Sequence, residues 1–159
     1  MGMEKAMQQV IGKMTYGIYI LTTFHKKEIN GMVASWVSQV SYDPAMVMVA
    51  IHPNRYSHHM VSQSGYFALH ILANNQSHML ERFKGPDPEA KFASIPWRRG
   101  KTGCPILTDC LGYLECKVMA NRIPGNHTLF IGEIQDAQVF SEGRPLSTID
   151  YAGVYIGRD

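Results

Sequence analysis

The feature that most constrains the fold is a long strand pattern late in the chain. Thr128-Leu129-Phe130-Ile131-Gly132-Glu133-Ile134-Gln135-Asp136-Ala137-Gln138-Val139-Phe140 runs without a proline and carries a glycine in its interior. A strand glycine has no side chain to pack and marks a bulge or bend, the corner that a closing sheet needs. A second such run, Leu111 to Ala120, precedes it across the turn Asn121-Arg122-Ile123-Pro124-Gly125-Asn126-His127. Upstream lie Ile18 to Phe24, a run from Ile29 through Trp36 to Val40, Met46 to Ile51 and Gly65 to Leu72, with a last piece at Tyr151 to Ile156. Each is rich in β-branched, aliphatic or aromatic residues.

Helical periodicity is short and sparse. Met7, Val10, Ile11 and Met14 form a stripe within Glu4 to Met14, a pattern expected to pack on the core and able to serve a dimer contact. Ser57 to Ser64 and Asn74 to Phe83 are further short helices, and Glu89 to Ile95 a single turn ahead of an irregular stretch through Pro96, Gly100, Gly103 and Pro105. Helices so few cannot cover a parallel sheet, so the expected architecture is mainly β, an antiparallel barrel with short peripheral helices.

With 159 residues, 45% hydrophobic and 18% charged, the chain can bury a full core in one domain, residues 1–159. A net charge of +2 on scattered cations speaks against nucleic acid or an acidic membrane surface as partner. Cys104, Cys110 and Cys116 lack the paired spacing of a zinc site. No segment is long and apolar enough to span a bilayer, so the expected location is a reducing cytoplasm.

Two stretches carry chemistry. Asn30-Gly31-Met32-Val33-Ala34-Ser35-Trp36 opens like a hairpin turn, since Asn-Gly tolerates positive φ, and continues as a strand of small residues. Val33, Ala34 and Ser35 leave the backbone little shielded, so that it can hold a flat polar ligand; an ordinary packed strand is the plainer alternative. At Asn54-Arg55-Tyr56-Ser57-His58 a strand runs into a helix, where Ser57 is a candidate cap. Free N–H groups, the helix dipole and the Arg55 guanidinium would together hold a phosphate; a plain helix start with an exposed arginine is the alternative. The adjacent His58 and His59 diverge on a helix and make a poor metal pair, so no metal site is expected.

These stretches, with Gln39-Val40-Ser41-Tyr42-Asp43-Pro44, Gly65-Tyr66-Phe67, Lys91-Phe92, Leu114-Glu115-Cys116 and Gly125-Asn126-His127-Thr128-Leu129-Phe130-Ile131-Gly132-Glu133, occur in an order that resembles the flavin reductase family of FMN-binding split barrels. The resemblance runs over nearly the whole chain, and Val33 stands where that family usually has a threonine. It implies an antiparallel split β-barrel of Greek-key type and a homodimer with flavin near the subunit interface. Backbone groups of Val33, Ala34, Ser35 and Trp36 would meet the isoalloxazine, with Ser35 near N5. Asn54, Arg55, Tyr56, Ser57 and His58 would bind ribityl and phosphate, with Lys91, and after it Lys84, adding charge. His127 would sit beside the flavin, orienting flavin or nicotinamide and supplying a proton; Trp36 would serve as a core aromatic or as a stacking partner.

The implied activity is hydride transfer from NADH or NADPH to FMN, with FAD as the other flavin, and onward transfer to free flavin, iron or a protein acceptor. The alternatives are an electron-transfer flavoprotein serving a rubredoxin or flavodiiron protein, and a split barrel holding another ligand such as haem or a deazaflavin. No glycine fingerprint is present from which to choose NADH or NADPH.

Overall fold

The computed structural model describes residues 1–151. The element order is α1 (Met3–Ile11), β1 (Tyr19–His25), β2 (Glu28–Ala34), β3 (Val37–Ser41), β4 (Met46–Ile51), α2 (Tyr56–Ser64), β5 (Tyr66–Ile71), α3 (His78–Lys84), α4 (Pro88–Phe92), β6 (Trp97–Arg99), β7 (Pro105–Leu107), β8 (Gly112–Arg122) and β9 (Thr128–Val139). Of the last expected strand, residues 152–156 lie outside the described residues.

Seven strands form one antiparallel sheet in the order β2-β1-β5-β8-β9-β4-β3, and β6 pairs with β7 in a separate ribbon. The strands at the two ends of that order, β2 and β3, are consecutive in the chain. Residues 35 and 36 alone join them, so the sheet must curl back on itself, and it does so as a split barrel. The Trp36 carbonyl accepts from Ala50 N at 2.9 Å at this seam.

Alternation along the strands supplies buried clusters on both faces of the sheet. Leu21, Val47, Val49, Ile51, Phe67, Leu69, Cys116 and Phe130 fill the barrel, with Val61 of α2 packed among them. Ile20 and Leu72 point the other way and meet Met79, Leu80, Phe83 and Phe92 of α3 and α4. Residues of opposite parity on one strand serve opposite faces, which is why β4 shows strict alternation of burial.

Four expectations are corrected. Asn30-Gly31 is no turn: it lies within β2, where Asn30 pairs with Thr23 and Gly31 with Thr22. The hairpin turns at Lys26, whose φ is +56°. Gly31 is required for another reason, because a Cβ there would come within 2.6 Å of the Phe83 ring. The strand expected from Ile29 to Val40 is broken at residues 35 and 36. The stripe on α1 does not pack on this chain's core: the helix has no buried residue, and Met7, Val10 and Ile11 are exposed. The stretch around Pro96 to Pro105, expected to be irregular, contains the β6–β7 ribbon.

Gly132 does mark a bend. The β8–β9 register shifts on either side of Val118, the residue opposite Gly132, and a Cβ on Gly132 would lie 2.7 Å from the Phe67 ring. One extra residue, Met119, sits on β8 and the other, Gln135, on β9, and the glycine admits the ring.

Candidate functional site

A cavity of about 590 Å³ opens beside the seam between β2 and β3. Val33, Ala34, Ser35 and Trp36 line it, as do Asn54, Arg55, Tyr56 and Ser57 from the β4–α2 junction, Lys91 from α4 and His127 from the turn before β9. β2 has a strand partner on one side only, so part of its polar backbone faces away from the ladder.

Lys91 is placed by its helix. Asp87 caps α4 by accepting from Glu89 N at 3.0 Å, and Pro88 follows at the position where its missing N–H costs nothing. The turn so fixed carries Lys91 under β2, where its Nζ donates to Asn30 Oδ1 at 3.0 Å and to the Gly31 carbonyl at 2.8 Å. Lys91 is 6% exposed. Burial, then the nearby Arg55, pulls its pKa below the usual lysine range, and Asp87 opposes this. Among the described residues Lys91 forms no ion pair.

Ser57 does not cap α2. The cap position is Arg55, with no side-chain cap bond. The buried Ser57 hydroxyl lies two residues further in and accepts from Asn30 Nδ2 at 3.2 Å. Tyr56 at the rim donates its hydroxyl to Glu28, which raises its pKa, and stacks on His59. Lys84 also lines the cavity and donates to the Tyr151 hydroxyl at 2.6 Å, the main reason its pKa is raised.

His127 is 6% exposed. Its Nδ1 lies 2.7 Å from Asn126 Oδ1, so Nδ1 carries the proton and donates to the amide oxygen. The ring sits 4.6 Å from that of Trp36 and edge-on to His52 at 5.1 Å. His58 is the expected ligand residue that does not line the cavity. Its Nε2 is 2.8 Å from Thr128 Oγ1 and its ring packs edge-on against Phe130, while burial lowers its pKa. It braces the first residue of β9, next to His127.

Sequence reasoning did not mark Asn30, His52, Phe83 or Tyr151 as site residues, and all four line the cavity. Asn30 carried a signal that was misassigned to a turn; Phe83 carried one only for the core. No aspartate or glutamate lines the cavity among the described residues, whereas Arg55, Lys84 and Lys91 do. Cys104 and Cys116 are pushed up to about 12 and Cys110 to about 11, in each case chiefly by burial, so the thiols stay protonated. No group of three or more potential metal ligands is gathered among the described residues. No described helix is long and apolar enough to cross a membrane.

An open antiparallel barrel with a seam cavity of slim backbone, aromatic rings and cations without acids defines a class of small β proteins built to take a flat, anionic ligand. The chain belongs to the flavin reductase like domain family, whose model matches residues 11–156. It is 32% identical over 144 residues to the ferric-chelate reductase (NAD(P)H) of Archaeoglobus fulgidus, covering 87% of this chain and 85% of that protein. To the NADH-dependent flavin reductase of a Rhodococcus species it is 29% identical, covering 96% of this chain and 88% of the relative. The crystal structure of nitrilotriacetate monooxygenase component B from Mycobacterium thermoresistibile superposes with a TM-score of 0.83 at 28% identity, over 91% of this chain and 81% of that one. Against the diflavin flavoprotein A 1 of Synechocystis and the high molecular weight rubredoxin of Moorella thermoacetica, each 32% identical, this chain spans 24% and 65% of the relative's length.

Proposed function

We propose that the chain is an NAD(P)H-dependent flavin oxidoreductase that holds FMN in the seam cavity. One observation carries the reading: a cavity lined by the buried Lys91 together with Arg55 and the start of α2, with no carboxylate among its described lining residues. A buried cation is normally paired, and Lys91 borders a space that an anionic group would fill, with the exposed Arg55 on the same lining. The relatives' names agree, including a flavin reductase and a ferric-chelate reductase.

When bound, the flavin accepts a hydride from the nicotinamide and passes the electrons on. The chain's residues bind and orient. Backbone groups of Val33 to Trp36 read the ring edge, and Val33 contributes no hydroxyl there. Asn54, Arg55, Tyr56 and Ser57 take ribityl and phosphate with Lys91. His127, its Nδ1 hydrogen-bonded to Asn126, lines the cavity beside the flavin or nicotinamide, with the Trp36 ring next to its own. The electrons go to free flavin, a ferric chelate or a protein acceptor. The exposed stripe of α1 supports a homodimer, and protonated buried thiols suit a reducing cytoplasm.

Steady-state oxidation of NADH and NADPH with added FMN, and with ferric chelate, tests this reading. No turnover with either nucleotide and no FMN binding would overturn it. Arg55→Ala should weaken FMN binding by about 1.5 to 3 kcal/mol, the worth of a charge-assisted bond. His127→Ala should slow flavin reduction in stopped flow more than it weakens FMN affinity in titration. The second reading, a partner-dependent electron carrier, is favoured by the match to part of a rubredoxin-containing relative; turnover only with an added redox protein would select it.

A further inference from the structure

Asn30 is buried, 3% exposed, and its amide is wired at both ends. Oδ1 accepts from Gly31 N at 2.8 Å and from Lys91 Nζ at 3.0 Å, while Nδ2 donates to Ser57 Oγ at 3.2 Å. The partners fix the orientation of the amide, because a flip would set an NH2 group against an ammonium and a backbone N–H. The wiring has a directional result. Ser57 Oγ spends a lone pair on Asn30, which leaves its own O–H to donate elsewhere. Lys91 spends two N–H groups on Asn30 and the Gly31 carbonyl, which leaves its third. Both residues line the cavity next to Arg55.

We propose that Asn30 is the positioning residue that selects a phosphorylated flavin, by holding the Ser57 hydroxyl and the last Lys91 N–H as donors toward a phosphomonoester. The inference rests on the reading of the cavity as a flavin site. Three elements meet in this one amide: β2 carries it, α2 supplies the serine and α4 the lysine. Asn30 itself acts through the two residues it holds. Phosphate recognition is thereby coupled to the strand that borders the ring.

The test compares FMN and riboflavin, which differ only in the phosphate, by fluorescence titration of wild type, Asn30→Asp and Asn30→Ser. The carboxylate introduced by Asn30→Asp keeps an acceptor for Gly31 N but pairs with the Lys91 ammonium and accepts from Ser57, so both donors turn away from the ligand. Wild type should bind FMN at least about tenfold more tightly than riboflavin. In Asn30→Asp that preference should fall by about tenfold or more while riboflavin affinity holds within about threefold. Asn30→Ser, too short to reach both partners, should lose preference in the same sense. Variants that retain the full preference overturn the proposal. Variants that lose riboflavin and FMN alike show a scaffolding role and also overturn it. A wild type that binds both flavins equally removes the phosphate reading of the cavity itself, a failure distinct from that of Asn30.

Discussion

Glu115 and Lys91 are both buried ionisable residues, and the difference between their surroundings separates fold from function. Glu115 is fully buried on β8, beneath the β6–β7 ribbon. Its carboxylate accepts from Lys101 N at 3.1 Å, Thr102 N at 3.0 Å and Thr102 Oγ1 at 2.5 Å. Gly100 closes over it so tightly that a Cβ would sit 2.2 Å from Oε1. That charge is finished by the chain's own donors. Lys91 receives two carbonyl-type acceptors and no carboxylate partner among the described residues, and the space beside it is a cavity. A satisfied buried charge closes a loop; an unfinished one waits for an anion.

The sharpest way to break the contrast is Glu115→Leu. It strands buried backbone donors and should lower unfolding stability in urea by about 3 kcal/mol or more, while FMN affinity of the folded fraction is unchanged. An affinity loss there would mean that the two regions are not separate. Lys91→Met should do the reverse: apoprotein stability equal or higher, since burying the lysine costs desolvation, and FMN binding weaker by about 1.5 to 3 kcal/mol.

His70 is the intermediate case, a buried ring satisfied as a neutral group. Nδ1 donates to the Ile20 carbonyl at 3.0 Å and Nε2 accepts from Leu107 N at 3.0 Å. Burial pulls its pKa from 6.5 down to about 4. Between those values the unfolded chain binds more protons than the folded one, so stability is full above the unfolded value and falls as pH drops toward 4. At pH 5 the loss from His70 should be about 2 kcal/mol relative to pH 7. Urea titrations of wild type and His70→Gln at both pH values check it; an equal pH slope in the two would remove His70 as the cause.

Much of the barrel was legible because its strands alternate. β4 was expected at Met46 to Ile51 and is found there, with Val47, Val49 and Ile51 buried in the barrel and the alternate residues half-buried. The Asn30-Gly31 pair misled because its usual role in turns is a local preference, whereas its place within β2 is set by the pairing of Tyr19–His25 with Glu28–Ala34. The real turn lies in the polar connection His25-Lys26-Lys27-Glu28, where the sequence does offer a link between the two strands, and it asks a positive φ of Lys26. Ser57 misled likewise: a serine near a helix start suits a cap, and only the tertiary approach of Asn30 shows its hydroxyl to be engaged. The α1 stripe was legible as amphipathic but not as unpartnered, because period alone does not say what a face meets. In the site, the seam, the β4–α2 junction and His127 converge from distant stretches; Phe83 and Tyr151 join them through packing that sequence spacing does not encode.

The break at Ser35 and Trp36 has a consequence for heredity. Whatever lies against residues 33 to 36 meets amide and carbonyl groups that every residue type except proline supplies. A contact made by a side chain can be erased by one codon change; a contact made by the peptide unit survives nearly all of them. A valine in place of a threonine at position 33 leaves those peptide groups unchanged. The burden of inheritance falls instead on Gly31, where the Phe83 ring leaves no room for a Cβ, and on Asn30, whose amide no other side chain of that length reproduces.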